Sequence, residues 1–492
     1  MKITRILALI SIVVMFAAIA AACATDDDGT APITAIDDNA AGTDNADLDE
    51  PEAPGFRVSR ERENIPDSDF GGYNFVMLVE DPYEKVWTYT NMIVEELTGD
   101  IIDDAFYRRN LLVEERLNIH LSQRPASLGS IQREFTREVE SGAGGFDVAF
   151  IRYYVAARLA MQNYCVALND IPYIDMDKPW WDQGARRDLS IAHRNYFMAS
   201  DMTIADNDNT WIMFFDTQLV QDLQLEMPYD LVNEGRWTFS KMHEMMRVAE
   251  FDVDGDGVMT RNDRFGLLTH GENYAGMWIA AGQRLFTKNE QDMPELAFGD
   301  ESFINVWHQI IEIMNCTSAY TRYIPFISSG LANGQTLFAT EILKFVRDYR
   351  GNERDFGIVP MPKFNEQQDS YHTYVALSAP LLLVPVSNPD LERTGIIIEA
   401  MAAEGHRTIL SAYYEVSIEG QFVRDEESIE MLNIAFATRL YDLGVVFDWG
   451  GVVGQLRTLG DRNDGGIASL LDRHGERIQA AMDNTFAAFE GN

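Results

Sequence analysis

After residue 69 the chain alternates short apolar runs with amphipathic stretches. Residues 73–79 (YNFVMLV) form a β-rich run bounded by Gly72 and Asp81-Pro82, which predicts a buried first strand. Over 103–117, Phe106, Leu111, Val113 and Leu117 fall at helical spacing, and 118–121 follows as a second strand. A second helix over 131–140 leads through Gly142-Ala143-Gly144-Gly145 into an apolar run at 146–151. Strand, helix, strand, helix, strand with short joints predicts a parallel sheet covered on both faces. Ligands in such sheets sit beyond the carboxyl ends of the strands, so Arg152, Tyr153 and Tyr154 are cleft candidates. The plainer reading is that the two tyrosines only open the next helix.

Extended runs at 196–199 and 210–215 flank the polar stretch 201–209, and helical periodicity then dominates 239–250 and 301–314. Residues 335–339, 355–360 and 381–385 read as strands and 391–403 as a helix. Alternation that resumes after a helix-rich middle implies two lobes between which the chain crosses more than once. No period of 20–50 residues recurs, so a solenoid is not expected.

The first 22 residues follow another pattern. Lys2 and Arg5 precede an apolar run that ends Ala20-Ala21-Ala22-Cys23. A basic head, an apolar stretch and small residues predict an export signal. A Cys at that point matches a lipobox, with Cys23 acylated as the new N-terminus; an uncleaved anchor or an ordinary signal peptide is the alternative. Acyl chains would then tether the protein stably to the membrane. Residues 26–54 contain ten Asp or Glu and no Lys or Arg, so 23–68 is expected to be a solvated acidic tether.

Composition narrows the partners. The 492 residues carry 78 acidic against 39 basic side chains, a formal charge of −39. A field of that sign repels nucleic-acid phosphates and anionic lipid surfaces, leaving neutral or cationic partners. Beyond Cys23 stand only Cys165 and Cys316, expected as free thiols; with no Cys-x-x-Cys pair and no His cluster, zinc is not expected.

One motif carries chemistry of its own. Residues 252–263 (DVDGDGVMTRND) fit a twelve-residue calcium loop in register: Asp252, Asp254 and Asp256 at positions 1, 3 and 5, then Gly257 at the turn. The Val258 carbonyl, Thr260 and Asp263 complete the set, and a structural Ca2+ is expected. Against this stands a solvated acidic turn. No nucleophile elbow, His-Glu-x-x-His or phosphate loop is present. A glycosidase carboxylate pair needs a spacing that sequence does not show. The tryptophans, among them Trp87, Trp180, Trp181, Trp211, Trp278, Trp307 and Trp449, suit stacking on sugar faces but more often fill cores.

Several longer runs resemble bacterial extracellular solute-binding lipoproteins (family 1 type) of carbohydrate ABC transporters. They are FGIVPMPKF (356–364), NPDLERTGIIIEAMAAE (388–404), SAYYEVSI (411–418), RDEESIEML (424–432) and RLYDLG (439–444). GDIIDDAFYRRNLLVEERLNI (99–119), DKPWWDQ (177–183) and the DxDGDG loop followed by Asn262–Gly266 agree. The resemblance covers the chain after residue 69. It implies a class II periplasmic-binding-protein-like α/β fold, with lobe one at 69–205 plus 337–395 and lobe two at 206–336 plus 396–492. The implied ligand residues are Arg152, Tyr153, Asp201, Asp206, Asn209, Trp278, Phe326, Glu341 and Tyr374. It further implies a non-enzymatic, monomeric protein on the extracellular face of a Gram-positive-type membrane, delivering a sugar to permease subunits. A peptide-binding protein, a sensory receptor and a secreted glycan-degrading enzyme or its docking module remain the alternatives.

Overall fold

Strand and helix boundaries follow local chemistry closely. The computed structural model describes residues 59, 61–81, 91–321, 324–346, 354–418 and 426–490. Cys23, the signal-like head, Trp87 and the tether as far as residue 58 lie outside the described residues. The strands in chain order are β1 (Tyr73–Glu80), β2 (Ile119–Ala126), β3 (Val148–Arg152), β4 (Trp211–Asp216), β5 (Phe265–Leu268), β6 (Phe286–Lys288) and β7 (Pro294–Leu296). There follow β8 (Ala319–Tyr320), β9 (Thr336–Ile342), β10 (Phe356–Val359), β11 (Thr373–Tyr374), β12 (Pro380–Leu383) and β13 (Arg439–Leu440).

The helix Ile101–Leu117 starts where Asp100 accepts hydrogen bonds from the Ile102 and Asp103 amides, and stops at Asn118 in the left-handed region. It lays Phe106, Val113 and Leu117 on the first sheet's core and delivers the chain to β2, parallel to β1 over 73–80 and 119–126. The sheet order is β12-β3-β1-β2, with β1, β2 and β3 parallel and β12 antiparallel to β3. A second sheet, β10-β4-β9-β5-β8, keeps β5, β8 and β9 parallel, while β4 runs against β9 and β10. Its strands β4, β5, β9 and β10 are buried at every position, as strands covered on both faces must be. Among the described residues no helix is long and apolar enough to cross a membrane.

The expected division of the lobes shifts in three places. β9 and β10 both belong to the second sheet, so the return crossing lies after 359, where Thr210 bridges Val375. A boundary at 395/396 would cut the continuous helix Leu391–Gly405, which packs against the first lobe's Ile101–Leu117. Gly395 allows it to dock closely: a Cβ there would lie 1.9 Å from the Pro172 carbonyl oxygen. The C-terminal helix Ile467–Glu490 contacts the first lobe's helix Tyr153–Met161. The last part of the expected tether is also pinned. The Ser59 amide donates to His406 Nε2 at 3.1 Å, and the buried Glu63 carboxylate takes Arg116 and Arg407 together.

Candidate ligand cleft

Carboxyl ends of strands from both sheets converge on one cleft of about 380 Å³. From the first sheet come Arg152, the last residue of β3, and Tyr154 just beyond it. Arg152 donates from Nε to Glu80 Oε2 at 2.7 Å, so the end of β1 holds the guanidinium at the end of β3. From the second sheet come Glu341 near the end of β9, His270 and Gly271 two and three residues past β5, and Thr321 directly after β8. Trp211, which opens the antiparallel β4 opposite Ile342, backs the same space with its side chain fully buried.

These side chains are held before any ligand arrives. Trp211 Nε1 donates to Asn273 Oδ1 at 2.9 Å, and the His270 ring meets the indole edge-on at 5.1 Å. His270 Nε2 lies 3.4 Å from Glu341 Oε2 without making a hydrogen bond. Glu272 accepts from the Tyr374 hydroxyl at 3.1 Å and the Leu377 amide at 3.3 Å. Burial pushes its carboxyl above the usual range, with Glu341 adding to the effect and His270 opposing it. Gly271 makes room for Arg457, whose Nε would stand 2.4 Å from a Cβ at that position. A second cavity of about 130 Å³ adjoins the cleft and shares Gly271, Glu272, Leu377 and Arg457 with it.

Of the positions named from sequence, Arg152 and Glu341 line the main cleft, and Trp278 and Tyr374 line the adjoining cavity. Tyr153 does not line the cleft: it is buried, with its ring 5.8 Å from that of Tyr441, because successive helical residues point about 100° apart. Its neighbour Tyr154 takes the cleft position. Asp206 is buried in an ion pair with Arg439, which also lies 3.3 Å from Asp182 Oδ2 and donates to Asn207. Burial pushes Asp206 up to about 6 despite Arg439. Asp201 Oδ2 pairs with His406 Nδ1 at 2.6 Å, again apart from the cleft. Asn209 is buried but accepts from Ser378 Oγ, so it fixes a cleft-lining serine. Phe326 falls in the helix Ile324–Ala332, and its side chain lies outside the described residues.

Trp211, His270, Glu272, Ser378 and Arg457 were not singled out as ligand residues from sequence. Trp211 and His270 have a legible signal, since they stand at the start of β4 and just past the end of β5; Glu272 precedes the next helix, and Arg457 has no such signal, arriving on a helix far along the chain.

In the calcium-type loop, Gly255 and Gly257 adopt positive φ (73° and 79°) and donate to the two oxygens of Asp252 at 2.7 Å. Asp252, Asp254 and Asp256 each place one carboxylate oxygen within 4.8 Å of the others. Asp263 stands outside that group: it accepts from the Val253 amide at 2.9 Å and the Thr260 amide at 2.6 Å, clasping the loop's two ends. Among the described residues Cys165 and Cys316 are unpaired.

No protein-family model and no curated protein matches the chain. Solved structures do. A cyclo/maltodextrin-binding protein complexed with maltotetraose aligns at TM-score 0.55 and 10% identity, over 88% of this chain and 98% of that one. The fold is that of the two-lobed solute-binding proteins. The sugar-binding protein MalE from Xanthomonas citri aligns at 0.55 and 14%, over 85% and 98% of the two chains. The substrate-binding protein Lmo0181 from Listeria monocytogenes, in complex with cycloalternan, aligns at 0.51 and 10%, over 85% and 99%. In this chain the cleft of Arg152 and Glu341 is lined from both sheets, at the ends of their strands.

Proposed function

We propose that this chain captures a carbohydrate between its lobes and delivers it to an ABC-type permease, without catalysis. The observation that carries the reading is the composition of the cleft at the facing strand ends. The half-buried aromatic Tyr154 stands with Glu341, Glu272, His270, Ser378 and the Glu80-braced Arg152. Aromatic faces suit the apolar face of a sugar ring, and fixed carboxylate and guanidinium groups suit paired hydroxyls. The cleft volume falls in the range of small-molecule sites, and the solved relatives in this fold include proteins with maltotetraose and cycloalternan bound.

A thermal-shift screen of the full chain in excess calcium, against a panel of mono- and oligosaccharides, tests this. A ligand that binds only the folded state raises the midpoint. The expected result is a rise with one glycan class, no released product on incubation, and loss of the rise in Tyr154→Ala and Glu341→Ala. Rises with peptides instead of glycans, or hydrolysis products, would overturn the reading.

Ca2+ belongs to the same proposal. Asp252, Asp254 and Asp256 would hold it, with Val258 and Thr260 at their sequence positions in the loop and Asp263 as the clasp. Hard oxygen donors of that number suit calcium, which would fix the loop structurally. Chelation is expected to lower the unfolding midpoint, and magnesium to restore it less well than calcium. Attachment through acylated Cys23 to the outer face of the membrane is proposed from the sequence alone. Radiolabelled palmitate incorporation into the wild type but not Cys23→Ser checks it.

A further inference from the structure

The charges around the main cleft do not balance. Besides His270, the charged side chains that line it are Arg152, Arg457, Glu272 and Glu341. Each guanidinium has a carboxylate of its own outside the lining. Arg152 Nε donates to Glu80 Oε2 at 2.7 Å, and Arg457 Nε, with most of its side chain exposed, lies 3.9 Å from Asp461 Oδ2. Among the described residues neither Glu272 nor Glu341 has a Lys or Arg at ion-pair distance; the charges that bear most on Glu272 are His270 and Glu341 itself. His270 does not supply the missing cation. The Glu272 amide donates to its Nδ1 at 3.4 Å, which needs a lone pair there, so the ring is neutral with its proton on Nε2.

Both carboxylates also keep one oxygen unspent. Glu272 Oε1 takes the Tyr374 hydroxyl and the Leu377 amide, and Glu341 Oε1 takes the Ile342 amide at 3.0 Å. Among the described residues the second oxygen of each accepts no hydrogen bond, and neither is sealed from solvent as His270 Nε2 is. Glu341 is only 3% exposed. A carboxylate buried to that degree calls for a cation or a proton, and an ammonium group carries three donors with its charge. We propose that the sugar bears a protonated amino group, received at the second-sheet side of the cleft by Glu341 Oε2 together with Glu272. The proposal rests on the carbohydrate reading above and narrows it to amino sugars whose amine is free. A hydroxyl in the same place would satisfy an oxygen but leave two like charges facing the cleft. The chain's formal charge of −39 favours the approach of such a ligand.

Isothermal titration with matched sugars tests it: glucosamine, galactosamine and mannosamine against glucose, galactose and mannose, and the glucosamine disaccharide against cellobiose and N,N′-diacetylchitobiose. At least one amine is expected to bind about tenfold more tightly than its hydroxyl counterpart, the scale of one hydrogen bond between charged groups. Acetylation, which removes the charge, is expected to abolish the gain. Glu341→Gln, close to isosteric, is expected to shrink the ratio of amine to hydroxyl affinity several-fold. Glu272→Gln is expected to shrink the same ratio, which keeps the test usable if the first variant folds poorly. A general attraction of cations to the acidic chain would survive both variants, since each removes a single charge. Amines that bind no better than their counterparts in every set, or an advantage untouched by both variants, overturn the amino-sugar assignment while leaving a sugar-binding protein. If no sugar in the wider panel binds, the carbohydrate reading itself falls, and this proposal with it.

Discussion

Arg439→Met is expected to be among the more damaging single substitutions outside the ligand cleft. Arg439 lies on β13, beside the crossing at 205–209, with its guanidinium ion-paired to Asp206 and 3.3 Å from Asp182 Oδ2. It also stacks 4.9 Å from the centre of the Phe436 ring. Methionine keeps most of the stem that packs there but removes the charge, leaving two buried carboxylates without their cation. Breaking a buried pair in this way costs about 3–5 kcal/mol. At ~2.1 cal/mol/K of unfolding entropy per residue and a body of roughly 400 residues, that lowers the unfolding midpoint by roughly 4–6 °C. The sign of the pH dependence is also fixed. Burial already raises Asp206 to about 6 in the presence of Arg439, and removing the cation raises it further. A group whose folded pKa exceeds its unfolded value favours folding at low pH and loses that contribution as pH rises through the folded pKa. The deficit of the variant should therefore be smaller at pH 5 than at pH 8, and Asp206→Asn added to Arg439→Met should recover part of it. Thermal unfolding of the four members of this cycle at the two pH values is the assay. A loss under 1 kcal/mol, or a deficit independent of pH and of Asp206, would refute the argument.

Glu399 is buried and accepts from Trp180 Nε1 at 2.9 Å and Trp181 Nε1 at 3.1 Å, yet burial lifts it from an ordinary 4.5 to about 7. Its contribution should be complete below pH 4.5 and fall by about 3 kcal/mol as pH rises through 7, a slope that Glu399→Gln removes in denaturant titrations. Glu80→Ala frees the Arg152 guanidinium, and ligand affinity should drop about tenfold although Glu80 is not among the cleft-lining residues, as calorimetry would show. Asp263→Ala releases both ends of the calcium-type loop and should weaken calcium binding 10–100-fold, the usual effect of losing an outer support, measured by competition with a chromophoric chelator.

Much of the architecture was legible because it is local. The first three strands and their helices appear within a few residues of the positions that hydrophobic spacing indicated, and Asp100 and Asn118 mark the limits of Ile101–Leu117 in the chain itself. The loop at 252–263 was readable for the same reason, since its glycines and aspartates act on neighbours a few residues away. The strand-end rule located Arg152. It did not separate Tyr153 from Tyr154, because which face of a new helix is inward depends on what packs there.

The sequence alone determined an α/β chain of acidic composition, the order of its elements and the turn of the aspartate-glycine loop at 252–263, because periodicity, composition and turn chemistry act over a handful of residues. Only the tertiary structure decided which sheet owns β9 and β10, since pairing joins residues more than a hundred positions apart, as in Trp211 with Ile342. Only it turned Asp206 and Asp201 from candidate ligand groups into partners of Arg439 and His406, which come from 233 and 205 residues away. Burial and ion pairing depend on that long-range assembly, and they fix which polar side chains remain to meet a ligand.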